Sequence, residues 1–250
     1  MLSDSDLERY SRQILLPGFD IAGQERLRNS TVLILGLGGL GSPAALYLAA
    51  AGVGCLRLAD GDAVKLSNLQ RQFIHREADL GRNKAESAAA AIAERNPAVV
   101  VDLLARRLDE AALEEAMQGV DVVLDCSDNY PIRYALNRVC LKHGIPLISA
   151  AAVRSEGQLA VFDPRSGGAC YRCLYPEAGA ESALSCSQSG VLGPVVGVLG
   201  SLQALEAIKL LSAYGQVLRA ELLLMDLATL DIQRVGLSAR PACPDCSAYR

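Results

Sequence analysis

A chain of 250 residues, 51% hydrophobic and 21% charged, has ample apolar material for a large core, which excludes an intrinsically disordered protein. A net charge of −4 argues against the basic face that nucleic-acid binding requires. The polar, acidic start from Met1 to Glu8 lacks the regions of a signal peptide, so the expectation is a soluble cytoplasmic protein whose eight cysteines stay reduced.

In chain order, a short helix is expected from Tyr10 to Pro17, and a β-branched strand from Thr31 to Leu35. The strand runs directly into Gly36-Leu-Gly-Gly-Leu-Gly41, and Ser42 to Ala51 follows as a helix, with Pro43 where a first turn accepts it. Cys55 to Ala59 reads as a second strand ending at Asp60-Gly-Asp62. Further strands are expected at Val99 to Leu104, Val120 to Leu124 and Pro146 to Ala151, separated by helices at Lys84 to Arg95 and Ile132 to His143. This alternation predicts a doubly wound, mostly parallel, Rossmann-like α/β sheet. Beyond Ala151 the pattern changes to antiparallel strands at Ala160 to Phe162, Glu221 to Met225 and Ile232 to Val235, with a helix near Gln203 to Leu211. The apolar stretch Val191 to Leu211 carries Gln203, Glu206 and Lys209, which favours a buried or interface helix over a membrane span. No linker separates two domains, so residues 1–250 are expected to form one unit.

Gly-x-Gly-x-x-Gly between strand and helix lets a backbone approach phosphate and aims helix N–H groups at it. Asp60 follows at about the twenty-residue distance expected of an acid on ribose hydroxyls. These features specify an adenine-nucleotide site and leave open which nucleotide. Ser67-Asn-Leu-Gln-Arg71, with Gln72 after it, and then Lys84 argue against hydride transfer, because Arg71 and Lys84 suit a triphosphate with a pyrophosphate leaving group. Each cation alone would be an ordinary surface group. Asp128, in Asp125-Cys-Ser-Asp-Asn129 at a carboxyl strand end, suits Mg²⁺, the alternative being a cap for the next helix. His75 and His143, the two histidines, lack an acid–base setting.

Cys170-Tyr-Arg-Cys173 and Cys243-Pro-Asp-Cys246 together supply four thiolates, the complement of a tetrahedral structural zinc that would staple the C-terminal tail to the body. A redox pair is the alternative for either motif taken singly. Cys55, Cys126 and Cys140 read as small core residues.

Arg12 in Ser-Arg-Gln-Ile-Leu-Leu, the glycine loop, Ser67 to Arg71, Lys84, Asp125 to Asn129 and both cysteine pairs occur in this order in one family. The chain resembles the molybdopterin-synthase adenylyltransferase and ThiF family of the ubiquitin-activating superfamily, from Arg9 to Cys246. The resemblance implies ATP held by Gly36, Gly38, Gly39, Gly41, Asp60, Ser67, Asn68, Leu69, Gln70, Arg71, Lys84, Asp128 and Asn129. It implies Mg²⁺ on Asp128, and Arg12 reaching into the neighbouring subunit of a homodimer. The nucleotide-binding half is then 1–150 and the carrier-binding, zinc-containing half 151–250. The implied partner is a small ubiquitin-like sulfur carrier ending in Gly-Gly, whose terminal carboxylate is adenylated with release of pyrophosphate. With neither a rhodanese-like domain nor a catalytic-cysteine domain like those of larger relatives expected in these residues, the resemblance implies a separate sulfur donor. Cys186, in a polar stretch, matches the position of a covalent sulfur link in the thiamine-pathway relatives. Two other readings remain: a catalytically silent subunit that binds ubiquitin-like proteins, and an NAD-dependent oxidoreductase.

Overall fold

The computed structural model describes residues 2–176 and 190–249. Eight strands form one sheet in the order β3-β2-β1-β4-β5-β6-β7-β8. They are β1 (Thr31–Leu35), β2 (Cys55–Ala59), β3 (Val100–Leu104), β4 (Val122–Asp125), β5 (Leu147–Val153), β6 (Glu156–Phe162), β7 (Glu221–Asp226) and β8 (Asp231–Gly236). The first five are parallel in the doubly wound order, and β6, β7 and β8 extend the sheet antiparallel. The predicted fold class is therefore the observed one.

Among the described residues, nine helices flank the sheet: α1 (Asp4–Arg9), α2 (Ser11–Ile14), α3 (Asp20–Arg28), α4 (Gly41–Ala51), α5 (Lys84–Arg95), α6 (Glu110–Ala116), α7 (Tyr130–His143), α8 (Tyr171–Leu174) and α9 (Gly193–Ser212). Side chains alternate across the sheet, so β1 sends Val32 and Ile34 to one face and Leu33 to the other. On the first face Val32, Ile34, Leu56, Leu58, Val122 and Ile148 pack with Leu48 of α4, Ile92 of α5 and Leu199 of α9. On the second, Leu33, Val123, Leu147 and Phe162 pack with Leu113 of α6, Leu136 of α7 and Tyr171 of α8. Both faces of the central strands are thus covered, which is why they read as unbroken apolar runs.

α9 covers nearly all of the apolar stretch Val191 to Leu211 read as a buried or interface helix, and so extends well beyond Gln203 to Leu211. Pro194 falls at a first-turn position where a missing N–H costs nothing, and its glycines serve close packing rather than interruption. At Gly200 the helix passes so close to α4 that an added Cβ would drive into the Leu40 carbonyl and stand 2.5 Å from Pro43 Cγ. The polar residues of α9 are partnered inside the protein. Gln203, fully buried, donates from Nε2 to the carbonyls of Asp125 (2.9 Å) and Ile148 (3.1 Å), and Glu206 accepts from Leu218 N–H at 2.9 Å.

Helices α1, α3 and α6 were not anticipated from the sequence. α1 has a capping box in which Ser3 Oγ accepts from Asp6 N–H and Asp6 Oδ2 accepts from Ser3 N–H; the Ser-x-x-acid spacing was its only signal. Substitution Gly200→Ala should destabilise the protein by about 1–3 kcal/mol through overpacking. Urea unfolding should show a lower midpoint at unchanged slope; an unmoved midpoint would mean that α4 and α9 separate freely.

Candidate active site

The glycine loop lies where β1 ends, and its glycines do different jobs. Gly36 has φ +95°, and a Cβ there would stand 2.7 Å from the Cys126 carbonyl oxygen. A Cβ on Gly41 would collide with the Gly36 carbonyl, and one on Gly39 would lie 2.8 Å from Val196 Cγ2 of α9. Around Gly38 the space is open except for Gln72 Nε2 at 3.6 Å. Three glycines therefore seat the loop against β4 and α9, and Gly38 leaves room for a ligand in front of the N-terminus of α4.

Asp60 follows β2 and faces this loop, its Oδ2 accepting from Leu37 N–H and its Oδ1 from Asp62 N–H, both at 2.8 Å. Asn83 joins the next element: its Oδ1 caps α5 by accepting from Ala85 N–H (2.8 Å), and its Nδ2 donates to the Asp60 carbonyl (3.0 Å). Lys84, largely buried, therefore emerges beside Asp60 with Nζ 3.3 Å from Asp62 Oδ2. Asp62 also pairs with Arg107 at 3.0 Å. The Arg107 hydrogen bond, aided by Lys84, holds the Asp62 carboxyl below its ordinary value although burial opposes this. Neither Asp62 nor Arg107 was singled out from the sequence; Arg107 lies in a loop 45 residues away, and only the sheet order brings it there.

Ser67 to Gln72 packs against the start of α9, where a Cβ on Gly193 would lie 2.6 Å from the Gln70 carbonyl. Asn68 Oδ1 accepts from Lys65 N–H (3.1 Å), and Arg71 Nη1 donates to the Ser67 carbonyl (3.0 Å). Leu69 is half-buried and Gln70 exposed. On the other side of the loop, Asp125 is fully buried and accepts from Ser127 Oγ (2.5 Å) and Ser149 Oγ (2.8 Å). Arg133 of α7 braces the same turn by donating to the carbonyls of Ser127 (2.6 Å) and Ala150 (3.3 Å). This turns Asp128 outward and exposed. The cap of α7 is Asn129, which accepts from Ile132 N–H at 3.2 Å, so the alternative of Asp128 as cap is corrected and its carboxylate is not spent on the helix.

The sheet thus brings Asp60 and Lys84 to the loop, and the segment that holds Asn68 and Arg71 reaches it through Gln72 at Gly38. It does not bring Arg12 there. Gln13 of α2 donates to the Ala51 carbonyl, at the far end of α4, about 16 Å of helix from the glycine loop. Arg12 is exposed and makes no hydrogen bond or ion pair among the described residues. Cys186 lies outside the described residues.

His75, which had no sequence signal, is buried behind the loop. Its Nε2 is 3.0 Å from the Leu37 carbonyl, which only accepts, so Nε2 carries the proton and Nδ1 accepts from Ser87 Oγ at 2.8 Å. Burial, reinforced by the charge of Lys84, lowers its pKa from the ordinary 6.5, against the pull of the Leu37 carbonyl. A depressed histidine stabilises the fold above the unfolded value, and that contribution is lost as pH falls through the folded one. Unfolding free energy should therefore drop on acidification below pH 6.5, and His75→Asn should flatten that part of the pH–stability curve.

The four paired cysteines meet as predicted, all buried, with their Sγ atoms within 4.8 Å of one another. Sγ separations are 3.9 Å (Cys170–Cys173), 3.7 Å (Cys170–Cys243) and 3.5 Å (Cys173–Cys246). A tetrahedron of thiolates about 2.3 Å from zinc has edges of about 3.8 Å, so the donor set fits that ion. Burial pushes the Cys170 thiol up. Burial opposes ionisation of Cys173 too, but N–H groups of Arg240 and Cys170 outweigh it and bring that thiol to about 7. Asn137 holds the cluster to α7, accepting from Tyr171 N–H and donating to Asp245, each at 2.9 Å; Arg172 closes the ring by donating to Asp245 at 2.6 Å. Purified protein should contain about one zinc per chain, and chelation should lower the melting temperature by several degrees. An unchanged melting temperature after complete metal removal would count against a structural ion.

The ThiF family model matches residues 10–247. The molybdopterin-synthase adenylyltransferase of Salmonella typhimurium is 48% identical over 245 residues, which are 98% of each chain; that of Escherichia coli is 47% identical over the same share. The adenylyltransferase and sulfurtransferase MOCS3 of Drosophila grimshawi is 47% identical, with the match covering 98% of this chain and 55% of that protein. Among solved structures, E. coli MccB with ATP superposes with TM-score 0.84 at 25% identity, over 96% of this chain and 74% of that one. With a family model spanning nearly the whole chain and near-half identity end to end, the chain belongs to the ThiF family.

Proposed function

We propose that the chain adenylates the C-terminal carboxylate of a small ubiquitin-like sulfur carrier ending in Gly-Gly, using ATP and releasing pyrophosphate. The observation that supports this reading is a glycine loop left open at Gly38 after β1, with Asp60 bonded to it and Lys84 emerging beside Asp60 and Asp62. A carboxylate is ionised at neutral pH and needs no general base, so the chemistry asks for positioning and for neutralisation of the leaving pyrophosphate. Asp60 would hold the ribose, Asn68, Arg71 and Lys84 would hold phosphates, and Asp128 would hold Mg²⁺, whose positive charge would help neutralise the leaving pyrophosphate. The relatives' names point to molybdopterin synthase, which makes its small subunit the first carrier to test and the thiamine sulfur carrier the next. Sulfur then comes from a separate donor, and Cys186 is a candidate for a transient covalent link to the carrier.

In this reading residues 1–250 form one unit, 1–150 binding nucleotide and 151–250 binding carrier and zinc. The active unit is a homodimer. Tyr47, Phe73, Val198 and Leu205 expose an apolar groove along α4 and α9 that a second copy would cover. Dimerisation also gives Arg12 a site to act in, since its own lies at the other end of α4.

ATP–pyrophosphate exchange with each Gly-Gly carrier of the same genome tests the reading. Exchange should require one carrier, and Lys84→Ala should lower it at least about a hundredfold, the scale set by losing one charge-stabilising group. No exchange with any carrier would leave a silent binding subunit as the better account, and full activity of the variant would remove Lys84 from the phosphate site.

A further inference from the structure

One buried polar side chain beside the glycine loop is left without a role by the residues named above. Gln72 is 4% exposed, and its carboxamide makes no hydrogen bond among the described residues. Its Oε1 is sealed from solvent, and its Nε2 stands 3.6 Å from where a Gly38 side chain would begin. Gly38 is the loop position with no other atom near that point, so the amide borders the space left open for a ligand. The sealed, unpartnered atom is the acceptor Oε1, whereas Nε2 has no partner among the described residues and is not sealed, so this N–H group is free to donate into the open space over Gly38.

The backbone fixes this residue relative to the loop. Gln72 N–H donates to the Asn68 carbonyl at 2.9 Å, and His75 N–H donates to the Gln72 carbonyl at 3.1 Å. His75 in turn donates from Nε2 to Leu37, the residue between Gly36 and Gly38. The segment from Asn68 to His75 is therefore tied to the loop, with the Gln72 amide pre-placed over Gly38 before any ligand arrives. A neutral N–H donor, flanked by Arg71 in sequence and by the N-terminus of α4 in space, suits an anionic oxygen.

We infer that Gln72 donates its Nε2 amide to a phosphate oxygen of the nucleotide above Gly38, and is a binding residue rather than core filler. This rests on the reading that the glycine loop holds ATP. Unlike Arg71 and Lys84, Gln72 adds direction without charge, so its contact should resist high salt while theirs weaken.

The test measures, by competition, the affinity of a non-hydrolysable ATP analogue and of adenosine in wild type, Gln72→Leu and Gln72→Glu. Gln72→Leu should weaken the analogue about tenfold or more, the usual loss for a hydrogen bond to a charged partner, and leave adenosine within about twofold. Gln72→Glu, nearly the same shape, should lose at least as much, because a carboxylate would face phosphate. An undiminished analogue affinity in Gln72→Leu overturns the assignment, as do equal losses for adenosine and the analogue, which would reveal support of the loop only. Should the leucine variant fail to fold, the glutamate variant carries the comparison alone. Wild-type protein that binds the analogue but shows no pyrophosphate exchange would sink carrier adenylation and leave Gln72 assigned; wild type that binds no analogue would overturn both.

Discussion

Backbone meets backbone where β1 turns into α4, and the rest of the site hangs from that contact. Gly41 lies over the carbonyl of Gly36, and Gly36 lies against the carbonyl of Cys126. No side chain fits between them, so the loop is clamped to the end of β4, with Val196 of α9 pressed against Gly39 from the helical side. One peptide inside the clamp, that of Leu37, is then gripped on both edges, its N–H by Asp60 and its carbonyl by His75. Asp60 passes the constraint to Asn83, and Asn83 sets the first turn of the helix that begins at Lys84. A displacement of α9 would thus be felt at the lysine through a short series of hydrogen bonds.

Charge is arranged around this frame in two contrasting ways. Asp125 and Arg133 are buried, surrounded by hydroxyls and carbonyls, and serve to shape a turn. Lys84, Asp62 and Arg107 form a partly open chain of alternating sign at the rim. The first group is insulated from salt and keeps geometry; the second can exchange partners when an anion enters. Asp128 stands exposed at the point where the two arrangements meet.

Much of this was legible in the residues themselves. Buried parallel strands announce themselves as β-branched runs, and the glycine loop, the acid after β2 and the paired cysteines have fixed local spacing. Strand ends proved harder: β4 begins at Val122, two residues later than the apolar run that predicted it, and takes in Asp125, one residue beyond that run, because pairing with β5 continues through Ser149. α9 matches the apolar stretch Val191 to Leu211 read as a buried or interface helix, but which of its glycines meet a neighbour shows only once the surface against Gly200 is known. His75, Asp62 and Arg107 carry no local pattern at all. Their partners come from other strands and loops, and only the order of strands in the sheet makes them neighbours.

The cysteine cluster has a consequence for the order of events during synthesis. It joins Cys170 to Cys243 and Cys173 to Cys246, each pair 73 positions apart. The strands β1 to β5 pair without the cysteines at 243 and 246, so the parallel half and α9, which covers it, can assemble before those last residues are made. Ribosome-bound chains would then pass through a stage with a formed glycine loop and an unclosed cluster, in which α8 and the middle of α7 lack Asp245 and the distal thiols. Closure of the cysteine cluster thereby becomes a late step, reached by chains whose earlier half has already folded.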